Sequence, residues 1–347
     1  MCKVSILSCS MSELQNVLKE MGEAPFRAKQ IFQWLHQKQV SDFGQMSNLS
    51  LPLREKLKER FYIERYEIAR KQVSSDGTIK YLFRLRDGNC IETVLMRYHH
   101  GNSVCVSTQV GCRMGCRFCA STKGGLVRSL SAGEILEQIY MAERDTGEPI
   151  SSIVLMGIGE PLDNFENVVR FLQLISDSEG RALSQRSVSL STCGIVPGID
   201  RLAGYKFGLT LSISLHAPFQ DMRSSMMPIN DAYPIQEVMA ACRRYQKATG
   251  RRISFEYTMV NGVNDSPACA TALAKLLRGL VSHVNLIPIN PVDGTGFSAS
   301  DAANIRRFQE MLEKLGVTVT VRRRLGQDIS AACGQLRAES AAEEAAR

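Results

Sequence analysis

Three cysteines lie close together in the segment Cys112-Arg-Met-Gly-Cys116-Arg-Phe-Cys119. Thiolates are ligands for soft transition metals, and Gly111 and Gly115 permit a loop tight enough to bring three of them to one centre. A structural zinc ion normally takes four protein ligands, and no fourth Cys or His follows at a matching local spacing. A 4Fe–4S cluster bound by three cysteines keeps one iron open for a substrate. We therefore expect a 4Fe–4S cluster, with a zinc site completed by a distant residue as the alternative.

Polar residues with binding chemistry follow other short apolar runs. The segment Met156-Gly-Ile-Gly-Glu160-Pro161 combines glycines, which allow close backbone approach, with a carboxylate suited to accept hydrogen bonds from an ammonium group. Ser191, Ser214 and His216 stand at the ends of the next runs, and Asn290 lies just beyond a later one. Taken alone, the glycine segment is most often a turn and a single histidine is most often a core residue.

The segments that carry these residues alternate between β-rich and helical patterns from residue 103 onward. The β-rich runs are residues 104–110, 152–156, 187–191, 209–215, 254–260, 283–287 and 317–321. Amphipathic helices such as residues 234–249 separate most of them, and a Ser131-Ala-Gly-Glu134 capping box begins the first, residues 131–144. This alternation predicts an α/β fold with a parallel sheet, either doubly wound or curved into a barrel. In both cases the chemistry is expected at the carboxyl ends of the strands.

The first 98 residues have a different pattern. Residues 11–70 are predicted to be helical, and residues 78–86 and 91–98 are predicted to form a hairpin around Asp87-Gly88. The helical part carries many cations, which are Arg27, Lys29, Lys38, Arg54, Lys56, Lys58 and Arg60. These cations either hold a polyanionic partner or serve the ordinary purpose of keeping exposed helices soluble.

The composition is that of a folded protein. The chain has 347 residues, of which 44% are hydrophobic and 22% are charged, and it contains no apolar run of about 18 residues that would span a membrane. Its first fifteen residues lack the pattern of a secretory signal, so we expect a cytoplasmic protein. The odd total of 11 cysteines in a reducing compartment argues against a disulfide framework and favours metal binding or catalysis.

The charge favours a polyanionic partner. The formal net charge is +7, and the segment 338–347, which holds three Glu and one Arg, makes the rest of the chain more basic still. We expect this last segment to be a disordered tail, because it has no large apolar side chain.

The motifs resemble a known enzyme superfamily. The C-x3-C-x2-C spacing is the hallmark of the radical S-adenosylmethionine (SAM) superfamily, and the strand–helix order resembles its partial (β/α)6 barrel. Longer blocks, in order over residues 20–337, resemble the RNA adenine carbon-2 methyltransferases of the RlmN type, which are related to the carbon-8 methyltransferase Cfr. These blocks are CVSTQVGCRMGCRFCAS, MGIGEPLDN, LSTCGIVPGIDRLA, SISLHAP, MPINDAYPI, FEYTMVNGVND, NLIPINP and DISAACGQL.

The resemblance implies an architecture and a set of site residues. Residues 1–98 would form a small helical and hairpin accessory domain that binds RNA, and residues 99–337 would form the radical SAM core with a catalytic cysteine loop near its end. The cluster ligands would be Cys112, Cys116 and Cys119. The SAM contacts would be Gly159, Glu160, Ser191, Ser214, Leu215, His216 and Asn290.

The resemblance also implies a mechanism that uses two SAM molecules per turnover. In the family scheme, Cys333 takes a methyl group from the first SAM and becomes S-methylcysteine. The second SAM, cleaved reductively at the cluster, yields a 5′-deoxyadenosyl radical that removes hydrogen from this methyl group, and the resulting carbon radical adds to the adenine. Glu92 matches the acceptor of the ring proton. Cys105 then attacks the Cys333 sulfur, which releases methyladenosine and leaves a transient disulfide.

The implied substrate is an adenosine in the peptidyl-transferase region of 23S rRNA, and an adenosine of tRNA as in some relatives. An electron donor such as flavodoxin and a monomeric state without a membrane are expected. Two alternatives stay open, a Cfr-like carbon-8 methyltransferase and a non-catalytic metal-binding protein of the ribosome. Without the resemblance, the sequence predicts that Cys105 is a core cysteine and that Glu92 is a surface charge. Cys193 departs from the Ser or Ile expected at its place in the family.

Overall fold

The computed structural model describes residues 3–289, 296–326, 328–329 and 336. Two residues with an implied role, Asn290 and Cys333, lie outside the described residues, as does the expected disordered tail at 338–347. Within the described part of the chain, none of the helices has the length and apolar character needed to span a bilayer.

The N-terminal part contains three helices followed by a β-meander. Its elements are β1 (Val4–Ser5), α1 (Met11–Glu20), α2 (Arg27–His36), α3 (Leu51–Arg60), β2 (Phe61–Tyr62), β3 (Glu67–Val73), β4 (Ile79–Arg84) and β5 (Cys90–Tyr98). Side chains of Ser10 and Ser50 cap α1 and α3 by accepting hydrogen bonds from backbone N–H groups of the first turn. The hairpin predicted around Asp87-Gly88 is confirmed by the antiparallel pairing of β4 with β5.

The prediction that residues 11–70 are helical is wrong beyond Arg60. The chain instead enters β3, an edge strand that pairs with β4 and leaves most of its side chains exposed. Because an edge strand buries few apolar residues, its sequence lacks the strong alternation that marks a half-buried strand.

The remaining chain alternates between strands and helices. The elements are β6 (Gly101–Cys105), β7 (Gln109–Gly111), β8 (Leu126–Ser129), α4 (Ala132–Thr146), β9 (Ile150–Leu155), α5 (Phe165–Ser176), β10 (Val188–Thr192), α6 (Val196–Tyr205), β11 (Thr210–Ser214), α7 (Gln220–Met226), α8 (Ile229–Ala232), α9 (Ile235–Thr249), β12 (Ile253–Met259), α10 (Pro267–Leu277), β13 (Ser282–Pro288), α11 (Ala302–Lys314) and β14 (Val319–Val321). The predicted capping box at Ser131 is present at the start of α4.

The single strand predicted at 104–110 is two separate strands. After β6 ends at Cys105, Ser107 donates a hydrogen bond from its hydroxyl to the Glu92 carbonyl (2.6 Å), and the Thr108 N–H bonds the Ile158 carbonyl (2.8 Å). These contacts turn the chain away from the sheet before β7 begins, and β7 pairs only with β8. The loop that carries Cys112, Cys116 and Cys119, the cysteine loop, therefore follows a short strand that lies outside the ten-stranded sheet.

Ten strands form one sheet in the order β3-β4-β5-β6-β9-β10-β11-β12-β13-β14. From β6 to β14 all neighbours are parallel and follow one another in chain order. A doubly wound sheet requires the order to reverse at one point, so this sheet is of the barrel type. Among the described residues β14 and β3 do not pair, which leaves the barrel partial as expected.

The accessory elements are joined to the barrel both through the sheet and through helix packing. β5 pairs antiparallel with β6, so residue 98, the expected domain boundary, lies in a hairpin of one continuous sheet. Helix α2 contacts α4 through His36, whose Nδ1 lies 2.9 Å from the Tyr140 hydroxyl. Tyr66 donates a hydrogen bond to the Glu134 carbonyl of α4 (2.6 Å). These contacts hold the N-terminal helices against the outside of the barrel.

Candidate active site

A cavity of about 340 Å³ is bounded by the cysteine loop, by strands of the barrel and by the segment that follows β14. Its walls include most of the residues expected to bind or react, which are Cys105, Cys112, Cys116, Cys119, Gly159, Glu160, Ser191, Ser214 and His216. The structure thus brings together nearly all the expected site residues that it describes. The exceptions are Leu215 and Glu92.

The cysteine loop is shaped by its glycines. Gly111 has a φ of +79°, and a Cβ atom there would come within 1.9 Å of the Gly125 carbonyl oxygen. That close approach allows the Cys112 N–H to donate to the same carbonyl at 2.9 Å. Gly115 also has a positive φ, of +72°, between the first two cysteines. Both positions therefore need glycine, as the sequence pattern indicates.

The three thiols fit a cluster better than a single metal ion. Burial raises the pKa of Cys112 to about 12 and also raises the pKa of Cys116, so a metal centre must displace these protons when it binds. Among the described residues, no three His, Cys, Asp or Glu side chains converge as ligands of one metal ion. In a 4Fe–4S cluster each cysteine binds a different iron, so the sulfurs need no common point. The three thiols within eight residues match the number of cysteine ligands expected for such a cluster.

Glu160 is a buried carboxylate held by two backbone groups. Its Oε2 accepts a hydrogen bond from the Cys193 N–H (2.8 Å), and its Oε1 accepts one from the Leu162 N–H (3.0 Å). Burial raises the pKa of this carboxyl group. Gly159, with a φ of +105°, lies so close to Gln109 that a Cβ atom would come within 2.7 Å of its backbone nitrogen. The segment thus places one buried carboxylate in the cavity wall.

His216 has a defined tautomer and charge. Its Nδ1 accepts a hydrogen bond from the Thr258 N–H (3.0 Å), which places the ring proton of the neutral form on Nε2. Burial, with a smaller contribution from Arg223, lowers the pKa of His216 to about 3. The ring stands edge-on against Phe118 of the cysteine loop, with centroids 4.9 Å apart. The neutral imidazole can therefore offer an N–H group to a ligand without carrying charge.

The side chain of Leu215, one of the expected SAM contacts, does not line the cavity. It is fully buried in the main hydrophobic core, and its carbonyl accepts a hydrogen bond from Arg223 (3.3 Å). Ser214 does reach the cavity, where its hydroxyl lies 3.3 Å from that of Ser191. Ser214 and His216 line the cavity on either side of Leu215, so the Leu215 side chain, between them, faces the core.

Arg223 is a site residue that the sequence did not reveal. Its guanidinium is fully buried and donates hydrogen bonds to the carbonyls of Cys193 (2.6 Å), Ser214 (3.3 Å) and Leu215 (3.3 Å). A fourth donor contacts Asn230 Oδ1 at 2.7 Å. Arg223 therefore ties together the chain segments that follow β10 and β11. No local pattern marks this role, because Arg223 lies in α7, whose other residues are mostly polar.

The cavity wall contains a second carboxylate, Glu256, for which the sequence gives no signal. It lies on β12, a strand buried at all seven positions, and accepts hydrogen bonds from Asn285 (2.8 Å) and Ser254 (3.2 Å). Burial raises its pKa, so it keeps a proton more readily than an exposed glutamate. No local motif marks it, because its position in the cavity depends on the curvature of the whole sheet.

Cys105 and Glu92 share one face of neighbouring strands. Cys105 at the end of β6 pairs with Val94 of β5, and Glu92 lies two residues from Val94 on the same face. Glu92 is buried, and its Oε2 lies 3.1 Å from the Nζ of Lys80. It is therefore not the surface charge that an isolated acidic strand residue suggests. Cys193, the expected departure from the family pattern, lies in the cavity wall.

Family models match two parts of the chain. A model described as the ribosomal RNA large subunit methyltransferase N-terminal domain matches residues 4–63. The model of the radical SAM superfamily matches residues 106–273, which include the three cysteines and the β9 to β12 segments.

Known proteins resemble the chain over nearly its whole length. A protein of Lachnoclostridium phytofermentans described as a probable dual-specificity RNA methyltransferase RlmN is 52% identical, over 96% of this chain and 94% of its own. A protein of Clostridium novyi with the same description is 51% identical, over 96% and 97%. A crystal structure of a radical SAM methyltransferase from Sphaerobacter thermophilus superposes with a TM-score of 0.92 at 45% identity, covering 96% of this chain and 98% of the other.

These similarities confirm the radical SAM fold with its N-terminal domain and the family expected from the sequence blocks. They extend across the cysteine loop, the cavity and the accessory elements alike. The chain belongs to the RlmN family of radical SAM RNA methyltransferases.

Proposed function

We propose that this protein methylates carbon 2 of an adenosine in 23S rRNA and of an adenosine in tRNA. The single observation that carries the proposal is that Cys105 lines the same cavity as the three cysteines suited to a cluster. A protein that only bound metal would have no use for a further thiol at this place. The description of the relatives as dual-specificity RNA methyltransferases supports the two classes of RNA.

The cavity residues have distinct proposed roles. Cys112, Cys116 and Cys119 would hold a 4Fe–4S cluster, whose chemistry is the one-electron cleavage of bound SAM. Glu160 offers a carboxylate to the amino group of SAM, and the Ser191 and Ser214 hydroxyls, with the His216 Nε2–H, offer further polar contacts. Asn290, outside the described residues, keeps the same role as a proposal from the sequence. Arg223 holds the chain segments that present these groups.

Two thiols would carry the methyl transfer. The Cys333 thiolate takes the methyl group of one SAM, so that S-methylcysteine forms and S-adenosylhomocysteine leaves, and a second SAM is needed to activate that methyl group. After the carbon has bonded to adenine, the adduct must lose the carbon-2 proton and one electron, which the cluster would take back. Cys105 then attacks the Cys333 sulfur, the sulfur–carbon bond breaks, its electron pair and a proton complete the new methyl group, and a disulfide forms. Glu92, on the strand face that also carries Cys105, is proposed to accept the proton that leaves carbon 2.

The cavity edge offers a surface for RNA phosphates. Arg323 and Arg324 line the cavity and are exposed, and neither forms an ion pair with a carboxylate of the described residues. By contrast, several cations of the N-terminal helices already form ion pairs with carboxylates. These pairs are Lys29–Glu179, Lys56–Glu23, Lys58–Glu55 and Arg60–Glu20. The cavity-edge arginines are therefore the stronger candidates for contacts that hold RNA in register.

A reductant of the flavodoxin type and a monomeric state complete the proposal. The electron for each cleavage must come from outside the chain. The proposed activity and the carbon-8 alternative use the same thiols, so only the identity of the methylated product distinguishes them.

The experiment that tests the proposal follows the fate of Cys105→Ala. This variant should form the bond to RNA but fail to release it, so a covalent RNA adduct on Cys333 should accumulate. Mass spectrometry of nuclease-digested protein detects such an adduct. Cys9→Ala, which alters a half-buried thiol outside the cavity, is the matched control and should turn over normally. Full turnover without adduct in Cys105→Ala would remove Cys105 from the mechanism.

A further inference from the structure

Glu256 is a buried carboxyl group in the cavity wall that takes no part in the proposed methyl transfer. On β12 it pairs in register with Ser214 of β11. Its backbone carbonyl accepts hydrogen bonds from the N–H groups of Leu215 (3.1 Å) and His216 (3.2 Å). The backbone of Glu256 is therefore fixed against the segment that presents Ser214 and His216 to the cavity.

Two side chains hold the carboxyl group of Glu256 from outside the cavity. Asn285, its register partner on β13, donates a hydrogen bond from Nδ2 to Oε2 at 2.8 Å, and Ser254 donates one from its hydroxyl to Oε1 at 3.2 Å. Neither Asn285 nor Ser254 lines the cavity, whereas Glu256 does. The Thr320 hydroxyl supports this arrangement by donating to Asn285 Oδ1 at 3.5 Å. The carboxyl group thus has a fixed orientation at the cavity surface.

The carboxyl group of Glu256 retains hydrogen-bonding capacity for a ligand. A carboxylate has about four acceptor sites, so the hydrogen bonds from Asn285 and Ser254 leave some of them unused. Glu256 forms no ion pair with any residue that the structure describes. Burial of a carboxyl group without an ion pair is costly, and such groups are frequent at functional sites. Glu256 is therefore suited to bind a polar group of a ligand in the cavity.

The place of Glu256 in the sheet indicates which part of a ligand it meets. Glu160, the carboxylate proposed for the amino group of SAM, follows β9, and Glu256 lies on β12, three strands further along the sheet. Three strand spacings amount to about 14 Å along the sheet, and the curvature of the barrel shortens the distance across the cavity. A SAM molecule held at its amino end by Glu160 would therefore direct its adenosyl end toward Glu256.

The adenosyl end of SAM offers two ribose hydroxyls as partners for a carboxyl group. A hydroxyl both donates and accepts hydrogen bonds, so it can bind the carboxyl group whether or not that group is ionised. This matters here because burial raises the pKa of Glu256. Acidic residues of dinucleotide-binding folds hold ribose hydroxyls in the same way.

We propose that Glu256 is a specificity-determining residue that binds the ribose hydroxyls of SAM. This role rests on the proposed function, because it requires the cavity to be the SAM site, but it does not require methyl transfer. Two buried carboxyl groups would then recognise the two ends of one SAM molecule, Glu160 the amino end and Glu256 the nucleoside end.

Ligand binding tests this role without turnover. Calorimetry on the full-length, cluster-loaded protein without reductant would compare S-adenosylhomocysteine with its 2′,3′-dideoxy analogue, which lacks both ribose hydroxyls. Glu256→Gln should bind S-adenosylhomocysteine about tenfold more weakly than the wild type, because an amide has one acceptor oxygen and Asn285 occupies it. The dideoxy analogue should bind both proteins equally, since it lacks the hydroxyls that would contact Glu256.

A second buried glutamate supplies the matched control, Glu137→Gln. Glu137 lies on α4, forms an ion pair with Arg144 and does not line the cavity. This variant should bind both ligands with wild-type affinity. Glu256→Asp, which draws the carboxyl group back by one methylene, should show the same dependence on the hydroxyls as Glu256→Gln, and it provides the comparison if melting curves show that Glu256→Gln does not fold.

Three results would overturn the proposal. They are wild-type affinity of Glu256→Gln for S-adenosylhomocysteine, an equal loss of affinity for both ligands, and a wild type that does not bind S-adenosylhomocysteine. The first is expected if Glu256 instead binds the sulfonium of SAM or a ribose of the RNA, and a raised KM for RNA would identify the RNA. If the dependence on the hydroxyls is found but no methylated RNA forms, the role of Glu256 stands and the proposed function fails.

Discussion

The Nζ of Lys80 and the Oε2 of Glu92 lie 3.1 Å apart in an ion pair that is 0% exposed on the lysine side and 3% on the glutamate side. Lys80 pairs across the sheet with Val94, which pairs in turn with Cys105. The ion pair and the cysteine therefore belong to one face of three neighbouring strands. A buried lysine beside this carboxylate holds it in place and offsets its charge.

Removal of Lys80 alone should be costly. Lys80→Met removes the ion-pair partner of a buried carboxylate, so the free energy of unfolding should fall by about 3–5 kcal/mol. The double variant Lys80→Met/Glu92→Met should lose less than Lys80→Met, because it removes the carboxylate together with its partner. Urea unfolding monitored by circular dichroism measures both values. A loss of under about 1 kcal/mol for Lys80→Met would show that water or another group reaches Glu92.

The cysteine loop should control iron content. Protein reconstituted under anaerobic conditions should hold about four irons and absorb broadly in the visible range. Replacement of Cys112, Cys116 or Cys119 by Ala should remove most of this absorption, whereas Cys9→Ala should keep it. Iron and zinc are measured by plasma mass spectrometry. One tightly bound zinc in a colourless protein would contradict the radical SAM assignment of these thiols.

Arg223 should support both the fold and the SAM site. Arg223→Met strips hydrogen bonds from three buried carbonyls, so the free energy of unfolding should fall by about 3 kcal/mol. The affinity for SAM, measured by calorimetry, should also fall by about tenfold. Arg223→Lys should recover part of both, because lysine offers fewer donors in a less fixed geometry. If Arg223→Met bound SAM with wild-type affinity, Arg223 would have no role in SAM binding.

The packing of α2 on α4 should depend on pH. Burial lowers the pKa of His36 to about 3, whereas an unfolded chain has the ordinary value near 6.5. Below about pH 6.5 only the unfolded state binds this proton, so His36 should reduce the free energy of unfolding by about 1.4 kcal/mol per pH unit. Relative to the wild type, His36→Gln should therefore gain stability as the pH falls from 6.5 to 5.5. Parallel pH profiles for the two proteins would contradict this expectation.

Local chemistry made much of the barrel predictable. The capping box of Ser131 and Glu134 marks the start of α4. It depends on contacts between residues only three positions apart, so it can be recognised in the sequence. β12 alternates Ile, Phe, Tyr and Met with Ser, Glu and Thr, and this period of two is the signal of a strand. The cysteine spacing can also be recognised in the sequence, because the three residues lie close together in it.

The errors arose where distant parts of the chain decide the outcome. β3 forms only because β4 offers it an edge to pair with, and the exposed residues of Glu67–Val73 carry no such information. The burial of Arg223 depends on carbonyls from two separate loops. Pairing and burial of this kind are properties of the assembled fold.

The identity of the nucleoside made by the purified protein tests the central claim most directly. The cluster-loaded enzyme would be incubated with SAM, a reductant, and 23S rRNA or tRNA from cells that lack the enzyme. Digestion and chromatography with mass spectrometry then separate adenosines methylated at different carbons. The proposed function predicts 2-methyladenosine in both RNAs, and its loss when Cys112 is replaced by Ala. Formation of 8-methyladenosine, or of no methylated adenosine by a protein with a full cluster, would contradict it.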